Sequence, residues 1–411
     1  MTYRWCRSLV IIAAFATLVA NAAVAVEMAE PKDVPPLFPP GAWVPNAKNW
    51  HDGRRAEIKK ILADEVYGHR PVERPPHLAF SEVSPEKTMM DGKAMRRLVK
   101  IEYGGKYGTN SFSVTAFVPK SQKRVPAFVF VCNRPAEECL DPERIVKSDF
   151  WPAEQIVERG YAAIAFYMGD VTPDRPHGNT LGVFAAFSDV ESHYRNRREW
   201  GALSAWAWGA SRVLDWIETQ PDIDAGHVAV IGHSRGGKIA LVAAAWDERF
   251  AMACSNDSGC GGAKLNHVDL LGSEHFVNLC TTRPFWFDDG FVAWVNRDDR
   301  SPWDQHWLVA MIAPRLVCIG SATDDDWAGP YGEYLTARYA TPAWRRIFGK
   351  KGFVSSGFPA PGAPQQEGEI SYHLRSGKHD LTPYDWNVYM DFADRHGWRC
   401  ARGQGKEEVG E

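Results

Sequence analysis

Hydrophobic and polar positions along this chain alternate between two periods. Residues 95–104 and 111–118 follow a strand-like alternation close to one another, which predicts an antiparallel pair. Residues 126–131 form an unbroken apolar run, the pattern of a strand buried on both faces. A helix near 151–159 and a second apolar strand at 162–167 follow it. Further on, helices are expected at 202–218, 239–245, 331–340 and 384–396, interleaved with strands at 228–231, 250–254, 312–320 and 370–374. Strands that alternate with amphipathic helices pair in parallel and carry helices on both faces, so the expected class is α/β, a three-layer sandwich around a mostly parallel sheet. Reacting groups in such sheets gather at the carboxyl ends of the strands.

The two ends differ from this middle. Arg4 and Arg7 precede an apolar stretch up to Ala25, with small residues at Ala23 and Ala25, the pattern of a cleaved signal peptide over 1–26. The expected location is therefore secreted or periplasmic. The apolar run is short for a membrane span, so no stable membrane association is expected after cleavage. Residues 27–49 carry six prolines and read as an extended lead-in. Residues 50–400 form one catalytic domain, and 401–411 are a polar tail expected to be disordered. A net charge of -4 without a dense basic block argues against a nucleic-acid partner. With Cys6 in the leader, seven cysteines remain; the odd number leaves at least one thiol unpaired within the chain. Their spacing does not resemble a metal site, and neither a metal nor an organic cofactor is expected.

The chemistry starts at Gly232-His233-Ser234-Arg235-Gly236. Four apolar strand formers run into it and an alanine-rich helix follows, the context of a nucleophile elbow in an α/β-hydrolase. The glycines permit a sharp turn that presents Ser234 Oγ, and the helix amino end beyond it favours developing negative charge. A serine nucleophile needs a base and an orienting acid. His379, in the loop between the last strand and the last helix, occupies the chain position of the base; His306 is the rival, with a structural role expected for it. Two positions compete for the acid. Asp257 follows the strand at 250–254, and Asp325 sits in the run Asp324-Asp325-Asp326 after the strand at 312–320. Chain order by itself leans slightly toward the later cluster.

The segment Gly232 to Lys238 resembles the Gly-Cys-Ser-Arg-x-Gly-Lys signature of glucuronoyl esterases, carbohydrate esterase family fifteen. The likeness continues through Trp200-Gly201-Ala202, Asn256-Asp257-Ser258-Gly259-Cys260-Gly261-Gly262, Trp327-Ala328-Gly329-Pro330 and Gly377-Lys378-His379-Asp380, and points to the bacterial branch. The resemblance implies that Arg235 serves the oxyanion, and that Lys238, Glu274 and Trp327 bind the sugar. It also moves the preferred acid to Asp257, with Asp325 as the alternative. His233 stands where fungal members have a half-cystine, so that family disulfide is not expected here. Many of the seventeen tryptophans, Trp206 and Trp208 among them, are expected in the core.

The function this implies is hydrolysis of esters of (4-O-methyl-)glucuronic acid, as in lignin–carbohydrate linkages, through an acyl-enzyme on Ser234. The expected partner is a glucuronate ester or glucuronoxylan-type carbohydrate, and the expected state a monomer. One alternative is an acetyl-xylan or other carbohydrate esterase on the same triad, for which Lys238 would be dispensable. The other is a non-catalytic carbohydrate-binding protein, in which Ser234 would be inert.

Overall fold

The computed structural model describes residues 30–41, 46–189 and 199–398. The leader and the tail lie outside the described residues. Nine strands form one sheet: β1 (His77–Met89), β2 (Ala94–Gly105), β3 (Gly108–Pro119), β4 (Val125–Cys132), β5 (Ala162–Tyr167), β6 (Ile223–His233), β7 (Met252–Asn256), β8 (Leu316–Ala322) and β9 (Ile370–Arg375). Their order is β1-β2-β3-β5-β4-β6-β7-β8-β9. The first three are antiparallel, β3 meets β5 antiparallel, and every later pairing is parallel.

Side chains of a strand point alternately to the two faces of a sheet, and β4 shows how one apolar run serves both. Val129 and Val131 join the core on one face, while Phe128 and Phe130 join the core on the other. The second core is closed by α1 (Ala153–Glu158) and by the last helix, through Ile156, Trp386 and Met390. The first is closed by α2 (Ala202–Ile217), α3 (Arg235–Trp246), α4 (Gln305–Ala310) and α5 (Pro330–Phe348), with the last helix numbered α6 (Pro383–Arg395). The three-layer α/β arrangement is the one expected. Trp206 and Trp208 are fully buried on α2, also as expected.

Several boundaries differ. β1 carries a mostly exposed, polar sequence at the sheet edge and pairs with β2 through two register shifts, so it leaves no apolar signal. The strand expected at 312–320 starts only at Leu316, because the buried Ile312 and Ala313 belong to turns closing α4. Helix α3 begins four residues earlier than its apolar pattern, directly after Ser234. In the lead-in, residues 30–41 contain no helix or strand, but Ala47–Asn49 is already helical. The lead-in is docked: Arg54 Nε donates to the Leu37 carbonyl at 2.7 Å, and Trp307 Nε1 donates to the Pro35 carbonyl at 3.3 Å.

Candidate active site

Ser234 sits between β6 and α3 with φ 55° and ψ −123°, a conformation that an L-residue adopts only under constraint. The constraint is visible. A β-carbon at Gly232 would fall 2.2 Å from the Gly236 carbonyl, and one at Gly236 would fall 3.0 Å from the Val131 oxygen. Ser234 N–H donates to the Asn256 carbonyl at 2.8 Å, which ties the turn to β7. The Ser234 carbonyl takes the amides of Gly237 and Lys238, so the two preceding amides, Arg235 and Gly236, open the helix. First-turn amides have no intrahelical acceptor, which suits this helix start to negative charge.

His379 lies over this elbow. Its ring is 4.3 Å, centre to centre, from that of His233, the residue before Ser234. Its Nδ1 is 2.6 Å from Asp325 Oδ2. The hydrogen bond preferred for Asp257 is thus made by Asp325, and this is a correction to the sequence reading. Asp257 is close, since one atom each of Asp257, Asp325 and His379 lie within 4.8 Å of one another. Its Oδ2, however, faces Arg375 Nη2 at 3.2 Å, and its Oδ1 has no hydrogen-bond partner. Burial, then the neighbouring Glu333 and Asp325, push the Asp257 carboxyl well above the usual range against the pull of Arg375. An orienting acid has to stay anionic, so Asp257 is poorly suited. Within the acidic run only Asp325 is buried; its Oδ1 also takes the Ala328 amide at 3.2 Å, while Asp324 and Asp326 face solvent.

The remaining residues singled out from the sequence fall into two groups of contacts. In one, Arg235 donates through Nη2 to the Asn133 carbonyl at 2.7 Å, and its Nε is 2.8 Å from Asp174. Asp174 in turn accepts from Trp286 Nε1 at 2.7 Å. In the other, Lys238 Nζ is buried and donates to the Ser258 carbonyl at 2.6 Å and to Glu274 Oε2 at 3.1 Å. The Glu274 amide donates to the Trp327 carbonyl at 2.8 Å, and the Trp327 side chain is 48% exposed, which leaves a ring free to meet a ligand. Lys238, Glu274 and Trp327 therefore belong to one place. His306 does not: it is buried on α4 against Trp307 and Tyr339, where burial lowers it to about 4.

The description "Glucuronyl esterase, fungi" matches residues 99–348, well over half of the chain. A carbohydrate esterase from an unidentified prokaryote is 35% identical over 383 residues, which span 87% of each chain. The chain belongs to the glucuronoyl esterase family. The glucuronoyl esterase of Solibacter usitatus superposes with a TM-score of 0.81 at 34% identity, covering 89% of this chain and 98% of that one. A 4-O-methyl-glucuronoyl methylesterase of Schizophyllum commune is 27% identical over 315 residues, 74% of this chain and 71% of its own. This family member is accordingly a carboxylic ester hydrolase with the α/β-hydrolase fold, of the bacterial type of carbohydrate esterase family 15.

Around the glucuronoyl esterase motifs the structure adds residues that the sequence did not single out. Arg375, the last residue of β9, holds the histidine loop from inside. Its guanidinium donates to the carbonyls of Lys378 at 2.6 Å and Asp380 at 2.5 Å, and to Asp385 Oδ2 at 3.0 Å. Asp385 closes the capping box of α6 with Thr382 and accepts from His373 at 2.8 Å; these partners hold its carboxyl low although burial acts in the other direction. Burial, and then the neighbouring His379, lower His233 well below the usual histidine range, and its Nδ1 meets Asn256 Oδ1 at 2.6 Å.

Glu333 is the second buried carboxyl that the motifs missed. It projects from α5 and accepts from the Ser258 and Gly259 amides at 2.8 and 2.9 Å and from Ser321 Oγ at 2.6 Å. Burial nevertheless outweighs these donors and raises it from 4.5 to about 7. The folded chain therefore keeps a proton that the unfolded chain releases near 4.5. Stability from this group is fully present below about pH 4.5 and is lost as pH rises through about 7. Glu333→Gln keeps a carbonyl acceptor for the two amides. It is expected to flatten the dependence of Tm on pH across that interval, as read by calorimetry; an unchanged slope would show that Glu333 is ionised throughout.

Proposed function

We propose that this chain hydrolyses alkyl and aryl esters of (4-O-methyl-)glucuronic acid through an acyl-enzyme on Ser234. The observation that carries the reading is the strained Ser234 elbow with the His379–Asp325 pair beside it. In the first half-reaction His379 takes the Ser234 hydroxyl proton while Oγ attacks the ester carbonyl. In this reading the Arg235 amide, with the carbonyl-anchored Arg235 side chain, takes the negative charge that develops on the carbonyl oxygen. His379 then returns the proton to the departing alcohol; water, deprotonated by His379, attacks the acyl carbonyl, and His379 passes that proton to Ser234 Oγ as the uronic acid is released.

The substrate class rests on the family and on the group formed by Lys238, Glu274 and Trp327. Lys238 and Glu274 set a donor and an acceptor side by side, a match for neighbouring sugar hydroxyls, and the exposed Trp327 ring is suited to a sugar face. The methylesterase activity in the name of the Schizophyllum commune relative agrees with this class. Benzyl or methyl glucuronate should be turned over in preference to acetylated xylan and nitrophenyl acetate; equal rates would favour the general carbohydrate esterase instead. Lys238→Met, which keeps the buried stem, should raise KM for the uronate esters about tenfold or more and leave nitrophenyl acetate unchanged, given one lost charged hydrogen bond. A fluorophosphonate probe should label Ser234, and an unmodified chain would indicate an inert binder. The amino-terminal pattern at 1–26 supports export as part of the same reading, and sequencing the amino terminus of the mature secreted protein tests it.

A further inference from the structure

The side chain of His379 is 40% exposed, while that of its partner Asp325 is 3% exposed. One hydrogen bond, between Nδ1 and Asp325 Oδ2, fixes a single point of the imidazole and leaves the ring able to turn about that line. A contact on its face is needed to fix its plane. His233 supplies one: the two rings lie 4.3 Å apart, centre to centre, at an interplanar angle of 52°, close enough for direct contact.

Unlike His379, His233 is buried, and its ring is held from several directions. Its Nδ1 is 2.6 Å from Asn256 Oδ1, an acceptor, so Nδ1 donates. The carbonyl of the same Asn256 takes the Ser234 amide at 2.8 Å, so one residue at the end of β7 ties both the elbow and this ring. Asp257 Oδ2, at 3.8 Å from Nδ1, is too far for a hydrogen bond. Phe150 meets the His233 ring edge to face at 5.4 Å, and the Arg134 guanidinium lies 3.7 Å above Phe150. Arg134 pairs at 2.6 Å with Asp380, the residue after His379. The contacts therefore run from His379 through His233, Phe150, Arg134 and Asp380 back to the loop that carries His379.

We propose that His233 is a positioning residue for the base: its ring holds the plane of the His379 imidazole, and Asn256 holds that ring. The proposal rests on the reading of His379 as the base. A histidine offers a flat face to His379 and a donor to Asn256 from a single short side chain. Two substitutions separate these halves. His233→Phe keeps a flat ring and removes the donor, whereas His233→Gln keeps an amide donor and removes the ring. Activity should follow the ring. On a uronate ester, His233→Phe should keep kcat within about fivefold, and His233→Gln should lose about 10²-fold in kcat with KM within a few-fold, the scale of loss for a reacting group displaced by about 1 Å. Calorimetry confirms that kcat is compared between folded proteins; a merely structural role would not sort the two variants by ring, nor spare KM.

A second measurement needs no substrate. In the full chain with isotope-labelled histidine, the hydrogen on His379 Nδ1 that faces Asp325 gives a magnetic resonance far downfield, assigned by its loss in Asp325→Asn. It should be sharp in the unaltered chain and in His233→Phe. In His233→Gln it should broaden into exchange with water, because an imidazole free to turn opens its hydrogen bond to solvent. A His233→Gln chain with unaltered kcat and an unaltered resonance would overturn the proposal. So would a His233→Phe chain that loses both as His233→Gln does, which would assign the effect to the Asn256 hydrogen bond, and so would an unaltered chain without the resonance. A chain inactive on every ester whose resonance still responds as described would dismiss the esterase reading and leave the support of His379 by His233 standing.

Discussion

Asp325→Asn is expected to lower kcat on a uronate ester by about 10³–10⁴-fold with KM within a few-fold of its starting value, because it removes an anion needed only as His379 gains charge. The 2.6 Å contact to His379 Nδ1 fixes the imidazole tautomer that leaves Nε2 free to accept a proton. An asparagine that turns its amide toward Nδ1 would reverse that preference. Asp257→Asn is expected to stay within about tenfold of the unaltered protein, since burial and the neighbouring carboxyls push that carboxyl well above the usual range and it faces Arg375 instead of His379. Single-turnover kinetics on both variants checks the pair. If Asp257→Asn shows the larger loss, the two roles are reversed and the 2.6 Å contact has only a packing function.

Arg375→Leu should produce the largest loss of stability, about 3–5 kcal/mol, the usual cost of removing one partner from a buried ionic cluster. The guanidinium is surrounded by the Asp257 and Asp385 carboxylates and by two carbonyls of the loop that carries His379. Without it the Asp385 carboxylate loses a cation, the Asp257 carboxyl loses its donor, and the loop loses the donors that fix its path. Chemical denaturation measures the first effect. For the second, kcat should fall in the fraction that remains folded. Arg375→Lys should recover much of the stability but less of kcat, because one ammonium cannot reach all the acceptors that a forked guanidinium spans. Full recovery of both by lysine would mean that charge alone matters here.

Those parts of the site that are local along the chain are legible in the amino-acid sequence. Ser234 is readable because a strand, a glycine-flanked turn and a helix follow one another within a few residues, and that order is itself the device that strains the serine. His379 is readable from its place between the last strand and the last helix. The acid is not. Asp257 and Asp325 both follow parallel strands at the same edge of the site, and what separates them is burial beside Glu333 and the reach of Arg375, which come from α5 and β9. Such distinctions depend on side chains that meet across long stretches of chain. Edge strand β1 is hidden for the opposite reason: its pairing partner stabilises it through the backbone, and its side chains face water.

The strands that carry the proposed nucleophile, acid and base, β6, β8 and β9, lie in the sheet in the same order as in the chain. During synthesis the serine elbow emerges first, the acid some ninety residues later, and the histidine only after β9. A nascent chain that has folded as far as α5 already owns its nucleophile but has nothing to deprotonate it. The proposed base thus arrives well after the nucleophile, together with the arginine that keeps it in place.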